Sequence, residues 1–121
     1  MCLFCQIKQE NVLYENKQTR VIYDGFPVNK GHCLVITKRH VANYFELNVE
    51  EKTSIDDAIM WVKNHLVRLY KPDGYNIGIN TGVAEGQTIM HLHVHVIPRY
   101  TGDVKNPMGG VRGVIPSKQA Y

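Results

Sequence analysis

Three histidines stand two residues apart in the stretch GQTIMHLHVHVIPRY, residues 86–100: His91, His93 and His95, with Leu92 and Val94 between them. On a β-strand, residues i, i+2 and i+4 point to the same side, so this spacing predicts one face carrying three imidazoles about 7 Å apart. Met90, Leu92, Val94 and Val96 then fall on the opposite face, as core. A slip of one residue would bury all three rings, so the pattern fixes the register. Two chemistries suit such a platform. Imidazoles bind metals, but ligands of one ion must converge to about 2 Å from it. The outer rings of a flat strand, roughly 14 Å apart at Cα, do not converge, so two of the three could share an ion but not all three. A neutral imidazole is also a good nucleophile toward phosphorus, and its neighbours can donate hydrogen bonds to phosphoryl oxygens.

Cys2 and Cys5 form a second candidate donor pair with metal or redox spacing. No strand of a βαβ unit precedes them, which argues against a thioredoxin-like redox motif. Cys33 sits in an apolar run and reads as a buried core thiol. An odd count of cysteines without an export signal points to a reducing, cytoplasmic setting. The remaining properties narrow the class. The chain has 121 residues, 44% hydrophobic and 21% charged, with a net charge of +3. That fits one domain with one core. No apolar run is long enough to span a membrane, and no block of like charge marks a nucleic-acid tail.

These groups need elements to hold them. Residues 12–14 and 20–24 read as short strands, with a loop over 25–31 containing Pro27 and Asn29. The run 33–37 predicts a buried strand, and 40–47 a short helix ended by Asn48. From 49 to 70 the period becomes helical: Ile55, Ala58, Ile59, Val62, Leu66 and Leu69 share one face, and Pro72 and Gly74 stop the helix. Trp61 and His65 lie on its flank, as edge packing or as a subunit contact. A strand over 75–80, a glycine-containing loop over 81–87 and a strand over 90–97 ended by Pro98 follow. Residues 101–121 form a Gly- and Pro-rich arm. Strands joined by short loops around one inserted helix suggest an α+β fold with an antiparallel sheet.

The motifs resemble a known family. HLHVHVI fits the His-x-His-x-His-x-x signature of the histidine triad (HIT) superfamily of nucleotide hydrolases and transferases. GQTIM is similar to that family's phosphate loop. YDGFPVNKGHCLVITKRHV resembles its earlier segment, with an Asp eight residues before a Gly-His. The likeness covers residues 2–99, and the tail NPMGGVRGVIP looks like that of bacterial members. It is nearest in kind to zinc-containing CxxC-type bacterial proteins and to dinucleoside polyphosphate hydrolases.

The resemblance implies a HIT-like fold, with a five-stranded antiparallel sheet, one long helix and one short helix. It implies a single domain over 1–121, with 101–121 as a C-terminal arm. It implies that His93 attacks the α-phosphorus of a nucleotide, expels the leaving group and holds a nucleotidyl-histidine, which water releases as a monophosphate. His95 would donate to a phosphate oxygen, supported by His32. Gln87 and Thr88 would contact phosphate and bridging oxygen, Gly86 would allow close backbone approach, and Asn80 would match a phosphate-site Asn. Asp24 would accept from the ribose hydroxyls, and Phe4, Ile7 and Ile22 would form the base slot. Cys2, Cys5, His40 and His91 would hold a structural zinc, and two chains would form a homodimer. Blander roles stand beside these: Asn80 as a turn cap, Asp24 as a turn residue, His32 as a structural histidine. Arg99 and Arg112 are candidates for a polyphosphate tail or for solvated surface. At the level of activity, a transferase or phosphorylase, a nucleotide-binding regulatory module and a zinc hydrolase with metal-activated water remain alternatives to the hydrolase.

Overall fold

The computed structural model describes residues 2–121. Five strands form one antiparallel sheet: β1 (Tyr14–Glu15), β2 (Thr19–Tyr23), β3 (Cys33–Thr37), β4 (Gly74–Ile79) and β5 (His93–Arg99), in the order β1-β2-β3-β5-β4. One long helix, α1 (Val49–Leu69), lies between β3 and β4 in sequence. The predicted α+β architecture is thus present, with the sheet and long helix as expected.

The register explains why the sheet has two working faces. Val21 pairs with Val35, Val35 with Val94, and Val94 with Ile79, a row of β-branched residues that fit a pleated surface. This row packs against Ala58, Val62 and Leu66 of α1. Each buried aliphatic side chain contributes roughly 1.5–3 kcal/mol. The alternate residues, Leu34 and Ile36, form a second cluster with Phe4. Leu34 lies opposite His95 and Ile36 opposite His93. One face of β5 is therefore core, and the other presents imidazoles.

Several local expectations are corrected. The first two strands shift to 14–15 and 19–23, because the Asn16 side chain accepts from Gln18 and Thr19 N–H and closes the turn between them. The short helix over 40–47 is only a 3-10 turn at Tyr44–Glu46, capped by Asn43. Val41 and Leu47 on either side plug into the core and hold the chain extended. Asn48 starts α1 rather than ending a helix: it accepts from Glu51 N–H while Glu51 accepts from Asn48 N–H, a reciprocal capping box. Leu69 does not join the buried stripe and is half exposed. The sheet's last strand begins at His93, not at 90, and continues through Pro98 to Arg99. β3 begins at Cys33, opposite Val96, so Pro98 is flanked by β4 alone, an edge-like stretch where proline is tolerated. Met90 is exposed rather than core. Trp61 is stacked between Tyr14 (5.0 Å) and His65 (4.6 Å) within the same chain. The arm folds into two 3-10 turns, Gly110–Val114 and Pro116–Lys118. Among the described residues no helix is long and apolar enough to cross a membrane.

Candidate active site and metal centre

His91 leaves the strand just before it begins, and this separates its task from those of the other two histidines. Leu92 N–H donates to Val41 O (2.7 Å), fixing the turn. The fully buried His91 ring points its Nε2 at Thr37 O, 2.6 Å away. A carbonyl only accepts, so the proton sits on Nε2 and Nδ1 keeps its lone pair. That lone pair lies 3.3 Å from Cys2 Sγ, 3.4 Å from Cys5 Sγ and 3.2 Å from His40 Nδ1. His40 Nδ1 is 3.2 Å from Cys5 Sγ. All four donor atoms fall within 4.8 Å of one another. A tetrahedron with ordinary zinc–sulfur and zinc–nitrogen bonds has S···N and N···N edges of about 3.3–3.6 Å, so the donors fit that ion in type and spacing. Thr37 O acts as the outer partner that orients a metal-binding histidine. The turn that delivers His40 is itself held. Thr37 Oγ1 donates to Arg39 O, and Arg39 donates twice to Glu51, which is 1% exposed. The Arg39 guanidinium keeps the Glu51 carboxyl below its ordinary range.

The same logic assigns His93, His95 and His32. His93 Nδ1 lies 2.8 Å from His91 O, so Nδ1–H donates and Nε2 carries the lone pair. Phe4 packs edge-on against this ring, centroids 5.0 Å apart. Val28 N–H donates to His32 Nδ1 (3.0 Å), which places the His32 proton on Nε2. That Nε2 lies 3.0 Å from His95 Nδ1 and 3.4 Å from Asp24 Oδ2. Donation from His32 leaves His95 Nδ1 as acceptor and puts the His95 proton on its own Nε2. Burial holds both His32 and His95 below the ordinary histidine value, which keeps them neutral. A backbone N–H thus sets, through two rings, a donor on His95 beside the lone pair on His93, centroids 5.1 Å apart.

These rings open into a cavity of about 910 Å³ whose lining includes Asp24, Asn80, Gly86 and Thr88. A second cavity of about 730 Å³ adjoins it across Phe4, Asp24 and Leu34, and is lined by Ile7 and Ile22. Asp24 stands at the junction, with Oδ1 accepting from Phe26 N–H. Of the residues singled out in sequence, Gln87 departs from expectation. It is buried, its Oε1 accepts from Gly82 N–H, and its Nε2 donates to Ala42 O. Both ends of the amide are engaged, tying Gly82 to Ala42, and Gln87 is not among the residues lining the cavity. Arg99 is bound at two atoms by Asp103 and donates to Asn76. Arg112 donates to Lys118 O and Gln119 O, with its guanidinium over the Tyr121 ring. Burial pushes the Cys33 thiol up to about 12, consistent with a core residue. Sequence reasoning missed Thr37, Val28, Arg39 and Glu51. Val28 acts through its backbone N–H and Thr37 orients His91 through its carbonyl, neither of which leaves a signal in residue type, and a buried carboxylate on a helix reads as surface.

Comparison with known proteins places this geometry. The model of the HIT domain matches residues 6–102. An uncharacterised HIT-like protein of Methanocaldococcus jannaschii is 39% identical over 109 residues, covering 85% of this chain and 82% of that protein. An asymmetrical bis(5'-nucleosyl)-tetraphosphatase of Schizosaccharomyces pombe is 35% identical over 92 residues, covering 76% of this chain and 50% of that protein. The crystal structure of a zinc-bound histidine triad family protein from Mycobacterium smegmatis superposes with a TM-score of 0.77 at 32% identity, covering 87% of this chain and 79% of that one.

Proposed function

This chain belongs to the HIT domain family, and on that premise we propose that it is a nucleotide hydrolase working through a covalent nucleotidyl-histidine. The substrate is a nucleoside 5'-phosphoanhydride or phosphoramidate. The observation that carries this reading is the pair of outward nitrogens: a lone pair on His93 Nε2 beside an N–H on His95 Nε2, each fixed by a backbone group. Binding alone requires no unprotonated nitrogen at the centre of a cavity; nucleophilic attack does.

In the reaction, His93 Nε2 forms a bond to phosphorus. The bond from phosphorus to the leaving group breaks, and the leaving atom departs with the bonding pair and takes up a proton from solvent. His95 Nε2–H donates to a phosphoryl oxygen and stabilises the charge that builds there. Water then adds to phosphorus as hydroxyl, its second proton returns to solvent, and the P–Nε2 bond breaks. One water is consumed. His93 Nδ1–H stays on His91 O throughout and stabilises the positive ring of the intermediate. Asp24 accepts from the ribose hydroxyls, Phe4, Ile7 and Ile22 hold the base, and Asn80, Gly86 and Thr88 face the phosphate. Gln87 acts on the loop that carries Gly86 and Thr88.

Cys2, Cys5, His40 and His91 are the residues to hold zinc, which when bound supplies a structural cross-link between the N-terminus and the turn before β5. The unit acts as one domain over 1–121 and as a homodimer in the cytoplasm; the described cysteines are all free, which suits a reducing compartment. The test is His93→Ala. Turnover should vanish while binding of a nucleoside monophosphate survives, and unimpaired hydrolysis would overturn the assignment.

A further inference from the structure

Residues 25–30 form the loop that delivers His32, and none of them is buried. Phe26 and Val28 are 93% and 66% exposed, so apolar packing does not hold this stretch. Yet Val28 N–H must stay on His32 Nδ1 for the proton order of the two rings to hold. Gly31 fixes the loop on one side: its φ of 96° lays the backbone against α1, where a Cβ would meet Leu66 at 2.8 Å. On the other side the loop is gripped by the chain that follows His95. Asn29 Nδ2 donates to Pro98 O (3.1 Å) and to Asp103 Oδ2 (2.8 Å), and Tyr100 Oη donates to Lys30 O (2.7 Å). Asp103 is itself locked, accepting twice from Arg99 and once from Tyr100 N–H at 2.7–3.0 Å. The Arg99 guanidinium holds the Asp103 carboxyl far below its ordinary range, so it stays ionised. Asn29, Arg99, Tyr100 and Asp103 do not line the catalytic cavity, so they reach the reaction only through the rings they position.

We propose that Asn29, held by Asp103, is a positioning residue for catalysis: it keeps Val28 N–H on His32 and thereby keeps the donor proton on His95 Nε2. This rests on the hydrolase reading above and deepens it. The strand that carries His95 runs into the turn that grips the His32 loop, so one continuous segment, residues 95–103, sets the register of both rings. When Asn29 is removed, the loop swings out and Val28 N–H leaves His32 Nδ1. The His32 proton then sits on Nδ1, where solvent accepts it, and His32 Nε2 becomes an acceptor. His95 in turn places its proton on Nδ1, toward His32 Nε2 and Asp24 Oδ2 at 3.0 and 3.9 Å. Each ring gives up one proton to solvent and takes one back, so both stay neutral. His95 Nε2 is left with a lone pair facing the phosphoryl oxygen, and the donor that would stabilise the developing charge is gone.

The experiment uses the full chain with adenosine 5'-phosphoramidate or diadenosine tetraphosphate, whichever wild type turns over. Asn29→Ala removes both side-chain bonds, and Asn29→Asp keeps the shape but sets an acceptor against Pro98 O and Asp103. Asn16→Ala, which opens the turn between β1 and β2, controls for a general loss of stability. Both Asn29 variants should lose about 5- to 50-fold in kcat/KM, no more than His32→Ala loses, while Asn16→Ala melts earlier and keeps the wild-type rate. Long-range ¹H–¹⁵N NMR should place the His95 proton on Nδ1 in both Asn29 variants and on Nε2 in wild type and Asn16→Ala. Adding Asn29→Ala to His32→Ala should cost no further rate, because the loop then has no ring to act through. Wild-type kcat/KM in both Asn29 variants overturns the proposal. So does an unchanged His95 tautomer, an equal rate loss in Asn16→Ala, or a double variant in which the two losses multiply. In each of those cases wild-type turnover with a nucleotide on His93 leaves the hydrolase reading standing. Wild type that turns over neither substrate and carries no nucleotide on His93 sinks both readings.

Discussion

Removing the His32 imidazole should disarm His95 without touching it. His32 is 2% exposed, and His32→Ala takes the acceptor from Val28 N–H and the donor from His95 Nδ1. Val28 N–H and the face of His95 that His32 covered lose a part-buried partner, at a cost of at most about 1–3 kcal/mol, so the variant melts at lower temperature. The catalytic effect is separate. Without His32 Nε2–H, the His95 proton is drawn to Nδ1 by Asp24 Oδ2, 3.9 Å away. His95 Nε2 then offers the phosphoryl oxygen a lone pair. Losing one hydrogen bond to a charged oxygen costs about 1.5–3 kcal/mol, or roughly 10- to 150-fold in kcat/KM. The assay is steady-state hydrolysis below the melting range of both proteins, with the His95 tautomer read by long-range ¹H–¹⁵N NMR. Wild type should show the proton on His95 Nε2 and His32→Ala should show it on Nδ1. His32→Gln, whose amide N–H reaches as far as the lost Nε2–H, should recover part of the rate. Wild-type kcat/KM in His32→Ala, or an unchanged His95 tautomer, would refute the reasoning.

Untagged protein should hold about one zinc per chain, and Cys5→Ser should lose it and melt earlier; clean wild type without zinc contradicts the assigned centre. His32 and His95 have folded values below the unfolded one of about 6.5, so their contribution is complete above that pH. It is lost as pH falls toward the folded values, because the unfolded chain binds the protons first, at up to about 1.4 kcal/mol per pH unit for each group. Urea unfolding between pH 7.5 and 5.5 should show stability falling as pH falls, and a flat profile contradicts the buried neutral rings. Glu51→Ala removes the α1 capping box and the partner of Arg39. It should cost about 1–3 kcal/mol in denaturant unfolding and weaken zinc retention; unchanged values for both would show that the turn before His40 is held otherwise.

What could be read in the sequence was whatever periodicity encodes. Alternation gave the two faces of β5, and the three-and-four spacing gave α1 and most of its buried stripe. It could not say where the strand starts. A flat strand spreads three imidazoles along one line; beginning it at His93 leaves His91 in a turn that swings its Nδ1 to Cys2, Cys5 and His40. Asn48 shows the same limit in reverse, since the residue type suits either side of a helix boundary and only Glu51 three positions on decides. Gln87 was drawn to the phosphate by its motif, but Gly82 N–H in its own loop and Ala42 O beyond it claim its amide. Arg99 looked available until Asp103, four residues on, took two of its atoms. The Asn48 and Arg99 partners lie only three and four residues away and were legible in spacing, whereas the reach of Gln87 to Ala42 and the convergence on His91 are tertiary and were not.

The central claim is that His93 Nε2 bonds to phosphorus. Mixing enzyme with excess substrate, quenching in the steady state and digesting under conditions that preserve P–N bonds should yield one peptide carrying a nucleoside monophosphate on His93. The adduct should be absent from His93→Ala. A turning-over enzyme with no adduct, or with the nucleotide on His95 or another residue, would contradict the account.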